Sequence, residues 1–151
     1  MIQEMVIINE NVLFVCTGNT CRSPMAEAIF NHVAKQMNVK VRAKSAGLYV
    51  CEDKIATHAR AVLKSMGILV RHKPTQITRD MMKKAEVVLT MTAEQKMLLQ
   101  REVKCDNLFS VAEFINGIDI LDPYGLGENE YMETAKLLEF SVKNIIKKLE
   151  K

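Results

Sequence analysis

The sequence lacks the features that would divide it into several domains or place it in a membrane. No apolar run approaches the roughly 20 residues that a membrane-spanning helix needs. There is no internal repeat, no low-complexity tract and no linker rich in proline or glycine. Residues 1–10 lack the basic start and the small-residue cleavage site of a secretory signal. We therefore predict an N-terminal extension, residues 1–10, and one domain over residues 11–151, with no membrane association.

The charge and the cysteines exclude further classes of protein. The net charge is +3 and no long run of lysine or arginine occurs, so nucleic-acid binding is not expected. The four cysteines show no metal-ligand clustering and fit the reducing cytoplasm better than a disulfide framework. No Gly-x-x-x-x-Gly-Lys-Ser/Thr motif for nucleotide phosphates is found. We expect a cytoplasmic protein without a metal ion or another cofactor.

Short apolar segments alternate with amphipathic ones along the chain. The strand candidates are residues 11–15, 39–43, 86–91 and 107–111. Apolar residues recur at a helical period in residues 25–33, 55–66, 92–101 and 135–149. This alternation predicts a single-domain α/β fold, a three-layer α/β/α arrangement with a four-stranded parallel sheet. In such sheets ligands bind beyond the carboxyl ends of the strands, where the strand order reverses.

The most informative segment follows the first predicted strand. Residues 16–23 read Cys-Thr-Gly-Asn-Thr-Cys-Arg-Ser and precede Pro24. Gly18 permits a backbone turn that other residues resist, and Asn19 tolerates the left-handed conformation. Ser23 is a suitable helix cap, with Pro24 at the first helical position. The segment therefore predicts a phosphate-binding loop between strand 1 and helix 1, where the helix N–H groups favour an anion.

Cys16 and Arg22 give this loop the chemistry of phosphoryl transfer. A thiolate is a far better nucleophile than a thiol, and a helix N-terminus, a guanidinium and a hydroxyl donor each favour the anion. Arg22 can hold two phosphoryl oxygens with its planar fork. Backbone N–H groups from Thr17 to Arg22 would bind the remaining charge. We interpret the bound phosphate as part of a substrate and Cys16 as the nucleophile.

A second segment supplies a candidate proton donor. A group that leaves from phosphorus needs a proton. Asp122 lies in the segment Leu-Asp-Pro-Tyr-Gly, residues 121–125, which favours a turn before the last predicted helix. Alone, this segment fits an ordinary Asx turn. Together with the cysteine loop, it indicates Asp122 as the general acid.

These residues resemble the low-molecular-weight protein tyrosine phosphatases. That family carries a Cys-x-Gly-Asn-x-Cys-Arg-Ser loop near the N-terminus and an Asp-Pro-aromatic loop about a hundred residues later, and the likeness here extends from about Asn11 to the end. The resemblance implies Cys16 as nucleophile, Arg22 as oxyanion clamp and Ser23 as the hydroxyl that stabilises the thiolate. It implies Asp122 as general acid, and then as base when water attacks the phosphocysteine.

The resemblance also implies the surroundings of the phosphate. Asn19 is similar to the family's loop-bracing asparagine, and Ser45 and His72 are similar to the residues behind it. The implied phosphate-binding residues are Thr17, Gly18, Asn19, Thr20, Cys21 and Ser23. The implied partners are phosphorylated proteins, with phosphate and vanadate as further ligands of the same site. We expect the protein to act as a monomer.

One position of the loop bears on the choice of substrate. Tyrosine-specific members usually carry an aliphatic residue where this chain has Thr20, whereas Cys-Thr-Gly-Asn-Thr-Cys-Arg resembles the bacterial protein arginine phosphatases. A guanidinium leaving group is planar, polar and cationic, so the hydroxyls of Thr17 and Thr20 and the carboxylate of Asp122 suit it better than an apolar rim. We predict a protein phosphoarginine phosphatase, with phosphotyrosine as the alternative substrate.

Two further activities fit such a loop less well. An arsenate reductase would need two more redox cysteines close together, whereas Cys51 and Cys105 are far apart in the sequence. A phosphocysteine carrier or a phosphate-binding domain gains nothing from a general acid that hydrolyses its own intermediate. Cys21 is either a partner that traps an oxidised Cys16 as a disulfide or a residue that packs the loop interior.

Overall fold

The chain folds as a parallel sheet with helices on both faces. The computed structural model describes residues 6–150, and residues 6–10 by their backbone alone. The strands are β1 (Val6–Cys16), β2 (Val39–Gly47), β3 (Val87–Thr90) and β4 (Leu108–Ser110). The helices are α1 (Arg22–Gln36), α2 (Thr57–Ser65), α3 (Arg79–Lys84), α4 (Ala93–Glu102), α5 (Val111–Ile115) and α6 (Glu128–Leu149). The sheet order is β2-β1-β3-β4 and every pairing is parallel, which confirms the predicted α/β fold.

Successive residues of β1 point to opposite faces of the sheet and anchor two apolar cores. Val12 and Phe14 belong to the larger core, which α1, α2 and α6 cover. Leu13 and Val15 belong to the smaller core, which lies under α3 and α4. Each of these four residues is at most 3% exposed, and burying a side chain of this size contributes about 1.5–3 kcal/mol. The three-layer α/β/α arrangement is thus built on the alternation within β1.

The carboxyl end of β1 is the point where the strand order reverses. In the sheet, β2 lies beside one edge of β1 and β3 lies beside its other edge. Cys16 is paired with Gly47 of β2, and Val15 with Thr90 of β3. The loop after Cys16 therefore lies between two diverging connections, where an open parallel sheet leaves a crevice for a ligand.

The observed elements differ from the predicted ones mainly at their ends. β1 begins at Val6, so residues 6–10 of the expected extension continue the strand, whereas residues 1–5 lie outside the described residues. β2 continues to Gly47, beyond its predicted end. The sequence pattern does not predict α3 or α5, because their six and five residues are too short to show a helical period. Within residues 6–150, no helix has the length and the apolar character needed to cross a membrane.

Candidate active site

The phosphate loop makes its left-handed turn at Asn19. This residue is fully buried and has a φ of 56°, a conformation that asparagine tolerates, so the prediction for Asn19 is confirmed. Gly18 has no left-handed φ, and a Cβ built on it would meet nothing closer than Thr20 Oγ1 at 3.7 Å. The prediction that Gly18 supplies the special turn is therefore wrong.

The side chain of Asn19 connects the loop to two distant parts of the chain, Ser45 on β2 and Thr75 before α3. Its Nδ2 donates to Ser23 Oγ at 2.7 Å and to Ser45 Oγ at 2.9 Å. Its Oδ1 accepts from the backbone N–H of Thr75 at 2.9 Å. The backbone carbonyl of Asn19 accepts from His72 Nε2 at 2.9 Å, which requires the ring proton on that nitrogen. All polar groups of the amide are thus engaged, which holds the turn rigid.

Cys16 lies at the base of the loop and faces two hydrogen-bond donors. The backbone N–H of Asn19 donates to Cys16 Sγ at 3.3 Å, and Ser23 Oγ lies 2.9 Å from the same sulfur. Ser23 Oγ accepts from Asn19 Nδ2, and its own proton has two acceptors, the sulfur at 2.9 Å and the more distant carbonyl of Ala46 at 3.5 Å. Both groups can hydrogen-bond the thiolate, the form that acts as nucleophile.

Ser23 lies inside α1 and does not cap it. The helix begins at Arg22, with Cys21 at the N-cap position, so Pro24 is the third helical residue. The prediction that Ser23 caps the helix, with Pro24 in first place, is therefore wrong. The physical reason is that the Ser23 hydroxyl is directed at Cys16 and Asn19 across the loop.

A carboxylate that the sequence analysis passed over sets the direction of these hydrogen bonds. Ser45 Oγ donates to Glu27 Oε1 at 2.8 Å, and a carboxylate can only accept. The Ser45 oxygen is then free to accept from Asn19, whose second amide hydrogen is directed at Ser23. Donation therefore runs outward from the Asn19 amide, through Ser45 to Glu27 on one side and to Ser23 beside Cys16 on the other. No local motif marks Glu27, because its partner lies on β2.

Arg22 and Asp122 lie together at the mouth of the loop. Arg22 is 6% exposed, and its Nη1 donates to the carbonyl of Ile120 at 3.0 Å. Its Nη2 lies 3.6 Å from Asp122 Oδ2, and the Asp122 side chain is 49% exposed. Asp122 Oδ1 accepts from the N–H of Tyr124 at 3.0 Å, as in an Asx turn. The turn thus presents the carboxylate to solvent beside a buried guanidinium.

Cys21 is held away from bulk water by a residue of α6. Its Sγ lies 3.2 Å from the hydroxyl of Tyr131, and both residues are buried. Burial raises the pKa of the Cys21 thiol, although the hydrogen bond to Tyr131 acts in the opposite direction. Burial, and then the hydrogen bond to Cys21, raises the pKa of Tyr131. Both groups are therefore neutral near pH 7. Nothing in the local sequence pairs Tyr131 with Cys21.

Thr20 lies at the rim of the loop, beside an open groove. The groove has a volume of about 630 Å³, and Glu52, Asp53, His58 and Tyr124 are among its lining residues. The Thr20 carbonyl accepts from Ala56 N–H at 2.9 Å, which joins the rim to this groove wall. The approach to the loop therefore carries two carboxylates and the ammonium group of Lys54.

The two remaining cysteines lie apart from Cys16 and from each other. Cys51 is exposed in the segment after β2. Cys105 donates to Asn107 Oδ1 just before the edge strand β4, whereas the phosphate loop follows the carboxyl end of the central strand β1. This placement offers no route for a disulfide relay away from Cys16. Among residues 6–150, no group of three or more His, Cys, Asp or Glu side chains could hold a metal ion.

Comparisons with known proteins agree with this loop and this fold. The family described as low molecular weight phosphotyrosine protein phosphatase matches residues 11–151. A protein-arginine-phosphatase of Bacillus subtilis is 36% identical over 146 residues, which cover 93% of this chain and 97% of that protein. The chain therefore belongs to the low-molecular-weight phosphotyrosine protein phosphatase family.

Two solved structures show how similar the fold is. The first is a cysteine-to-serine mutant of an arginine phosphatase with a phosphorylated active-site serine; it is 34% identical, with a TM-score of 0.89 over 93% of this chain and 96% of that one. The second is a low-molecular-weight protein tyrosine phosphatase from T. tengcongensis; it is 38% identical, with a TM-score of 0.88 over 93% of this chain and 99% of that one. Because the overall likeness is equally high for both, the choice of substrate depends on individual residues.

Proposed function

We propose that this phosphatase removes phosphate from phosphoarginine in proteins through a phosphocysteine intermediate. Cys16 Sγ attacks phosphorus, the P–N bond breaks, and Asp122 gives its proton to the departing nitrogen of the guanidine. Water then attacks the phosphocysteine while Asp122 takes up a proton, and the S–P bond breaks to release inorganic phosphate and the Cys16 thiolate. A phosphorylated active-site serine in a relative supports a covalent intermediate at this position.

The surroundings of Cys16 fit this sequence of steps. Arg22 is buried at the mouth and would bind two equatorial oxygens of the phosphoryl group. The backbone N–H groups of residues 17–22 would hold the remaining charge, with Gly18 leaving room for the anion. Ser23 would stabilise the thiolate when it leaves, because its hydroxyl lies 2.9 Å from the sulfur. Ser45 and His72 act through Asn19, which they hold in place.

The observation that favours phosphoarginine is the chemistry of the rim. Thr20 lines the groove and carries a hydroxyl where an aliphatic side chain would favour a flat phenyl ring. Glu52 and Asp53 line the adjoining groove together with Lys54, and the two carboxylates outweigh the one ammonium group, which favours a cationic guanidinium. An arginine phosphatase of Bacillus subtilis among the relatives supports the same choice.

The remaining properties follow from the same chemistry. The partners would be phosphorylated proteins in the cytoplasm, and neither nucleic acid nor a membrane would be needed. We propose that a single subunit is sufficient, because every residue of the mechanism lies in one chain. Inorganic phosphate and vanadate would compete with the substrate. Activity would be unchanged in the presence of a chelator, and complete loss of activity there would contradict the cysteine mechanism.

Replacing Thr20 tests the choice of substrate. The measurement is the ratio of kcat/KM for phosphoarginine and phosphotyrosine peptides in the wild type and in Thr20→Ile. We expect the wild type to prefer phosphoarginine, and Thr20→Ile to shift the ratio towards phosphotyrosine by about 10–200-fold, the effect of one or two apolar contacts. Thr57→Ile makes the same exchange elsewhere in the groove and should leave the ratio unchanged. A wild-type preference for phosphotyrosine would assign the enzyme to the alternative substrate.

A further inference from the structure

A buried side chain of α4 contacts the phosphate loop and has no part in the mechanism above. Gln95 is 5% exposed and is the third residue of α4. Its Oε1 accepts from the backbone N–H groups of Met91 at 3.0 Å and Thr92 at 3.1 Å. Thr92 Oγ1 accepts in return from the N–H of Gln95, which completes a capping box.

This capping box fixes the orientation of the Gln95 amide. The Met91 N–H also donates to the carbonyl of Val15, but the Thr92 N–H has only the Gln95 side chain as its acceptor, so the amide oxygen must face it and the amide nitrogen must face the other way. An exchange of oxygen and nitrogen would place donors against donors. Gln95 Nε2 accordingly donates to Thr17 Oγ1 at 3.1 Å. The direction of the bond between α4 and the loop is therefore determined, with Thr17 as the acceptor.

The Thr17 hydroxyl keeps its proton available. Thr17 directly follows Cys16, is exposed, and its carbonyl accepts from the N–H of Tyr49 at 2.9 Å. Because its oxygen accepts from Gln95, its proton must point elsewhere, and among residues 6–150 no protein acceptor takes it. A hydroxyl oxygen that accepts one hydrogen bond becomes a stronger donor through its own proton.

We propose that Gln95 is a positioning residue that directs the Thr17 hydroxyl proton to the anion side of the loop, where it donates to a phosphoryl oxygen of the substrate. The proposal rests on the phosphatase function proposed above, and it adds an oriented side-chain donor to Arg22 and the backbone N–H groups. Thr17 would touch the substrate, whereas Gln95 would act through Thr17.

The variant Gln95→Glu reverses the hydrogen bond with little change in shape. A carboxylate still accepts from Met91 and Thr92, and glutamate is itself a usual residue at this capping-box position, so the fold is retained. The new oxygen can only accept, so the Thr17 proton turns towards it and away from the phosphate. We expect the Kd for inorganic phosphate, measured by titration calorimetry, to rise about ten-fold, the effect of one hydrogen bond to a charged group. The KM for p-nitrophenyl phosphate should rise with it, while kcat changes little.

Two controls distinguish the effect of losing the Thr17 hydrogen bond to phosphate from the effect of the added negative charge. Gln100→Glu adds the same charge to an exposed position of α4 and should leave the Kd for phosphate unchanged. Thr17→Val removes the hydroxyl and should raise the Kd about ten-fold by itself. When Gln95→Glu is then added to Thr17→Val, the further change should be less than about three-fold, because the hydroxyl is already absent. Thr17→Ser restores a hydroxyl and should recover most of the lost affinity.

The proposal is overturned if Gln95→Glu weakens phosphate binding equally with and without the Thr17 hydroxyl, since the charge alone would then be responsible. It is also overturned if Thr17→Val binds phosphate as tightly as the wild type. Inorganic phosphate has no leaving group, so this result does not depend on the preference for phosphoarginine. An enzyme that hydrolyses phosphotyrosine and not phosphoarginine would contradict the proposed function and leave the Thr17 and Gln95 experiment valid.

Discussion

The guanidinium of Arg22 and the carboxylate of Asp122 face each other, with 3.6 Å between Nη2 and Oδ2. The cation is buried, whereas the carboxylate is about half exposed. An ion pair that is this open to water contributes little to stability. Its geometry has a clearer consequence for catalysis, because an anion that enters the loop meets the arginine while the carboxylate stays accessible to the leaving group and to water.

Replacing Asp122 by alanine should slow the release of a poor leaving group. We expect kcat for a phosphoarginine peptide to fall about 10²–10⁴-fold, the usual contribution of general acid–base catalysis, with a smaller loss for p-nitrophenyl phosphate. Single-turnover kinetics would show which step is slowed. Asp106→Ala, at an exposed position before β4, is the matched control and should retain full activity. Normal turnover of phosphoarginine by Asp122→Ala would mean that another group is the acid.

A methyl group at Gly47 should disturb the phosphate loop from behind. A Cβ built there would lie 2.9 Å from Val50 Cγ2 and 3.0 Å from the backbone nitrogen of Asn19. We expect Gly47→Ala to lower the free energy of unfolding by about 1–3 kcal/mol, as overpacking does, and to lower kcat by displacing Asn19. Gly117→Ala is the control, because its added methyl would meet the flexible end of Ile115 at 3.3 Å. A fully active Gly47→Ala would show that the loop adapts.

The buried Cys21 should make the protein less stable in alkaline solution. The raised pKa of Cys21 means that the folded state favours the protonated thiol. Below the ordinary pKa of 9.0 both folded and unfolded chains keep the proton, and the contribution to stability is complete. Above it the unfolded chain loses its proton first, so the free energy of unfolding declines as pH rises. Urea unfolding between pH 7 and 10.5 should show a shallower decline for Cys21→Ser than for the wild type, and equal declines would contradict this role.

Peroxide should oxidise Cys16 and allow Cys21 to trap it. A sulfenic acid on Cys16 would condense with the Cys21 thiol to a disulfide, with loss of water, and dithiothreitol should restore the activity. Cys21 must first give up its contact with Tyr131. Peptide mass spectrometry should find the Cys16–Cys21 crosslink in the wild type and in Cys51→Ser, which lacks an exposed thiol. Sulfinic acid on Cys16 without a crosslink would leave Cys21 as a packing residue.

The order of the elements could be predicted from the sequence because each strand and long helix carries its own apolar period. The short helices α3 and α5 could not, since six and five residues do not complete two turns. The start of α1 also differs, because the Ser23 hydroxyl that looks like a helix cap has a stronger partner in Cys16. Tertiary contacts here override a local preference.

The site could be predicted where one continuous segment carries it. Residues 16–23 are enough to predict the phosphate loop, and the Asp-Pro turn predicts the nearby carboxylate of Asp122. Glu27, Gln95 and Tyr131 could not be found in this way, because each meets the loop from another element of the fold. The hydrogen bond from Gln95 to Thr17 joins residues 78 positions apart, and the one between Cys21 and Tyr131 joins residues 110 positions apart. No local sequence pattern predicts contacts over such distances in the chain.

The hydrogen bonds of Asn19 also affect the stage of folding at which the active site is complete. Its partners Ser45 and Thr75 reach the loop only after β2 and the segment before α3 have docked, and Arg22 meets Ile120 across an even longer stretch of chain. Contacts between residues so far apart form late, because long loops must close before these contacts can stabilise the chain. Until they form, the Asn19 side chain lacks the hydrogen bonds from distant segments that hold the loop around Cys16. The site geometry that the proposed mechanism needs is therefore complete only once the whole domain has folded.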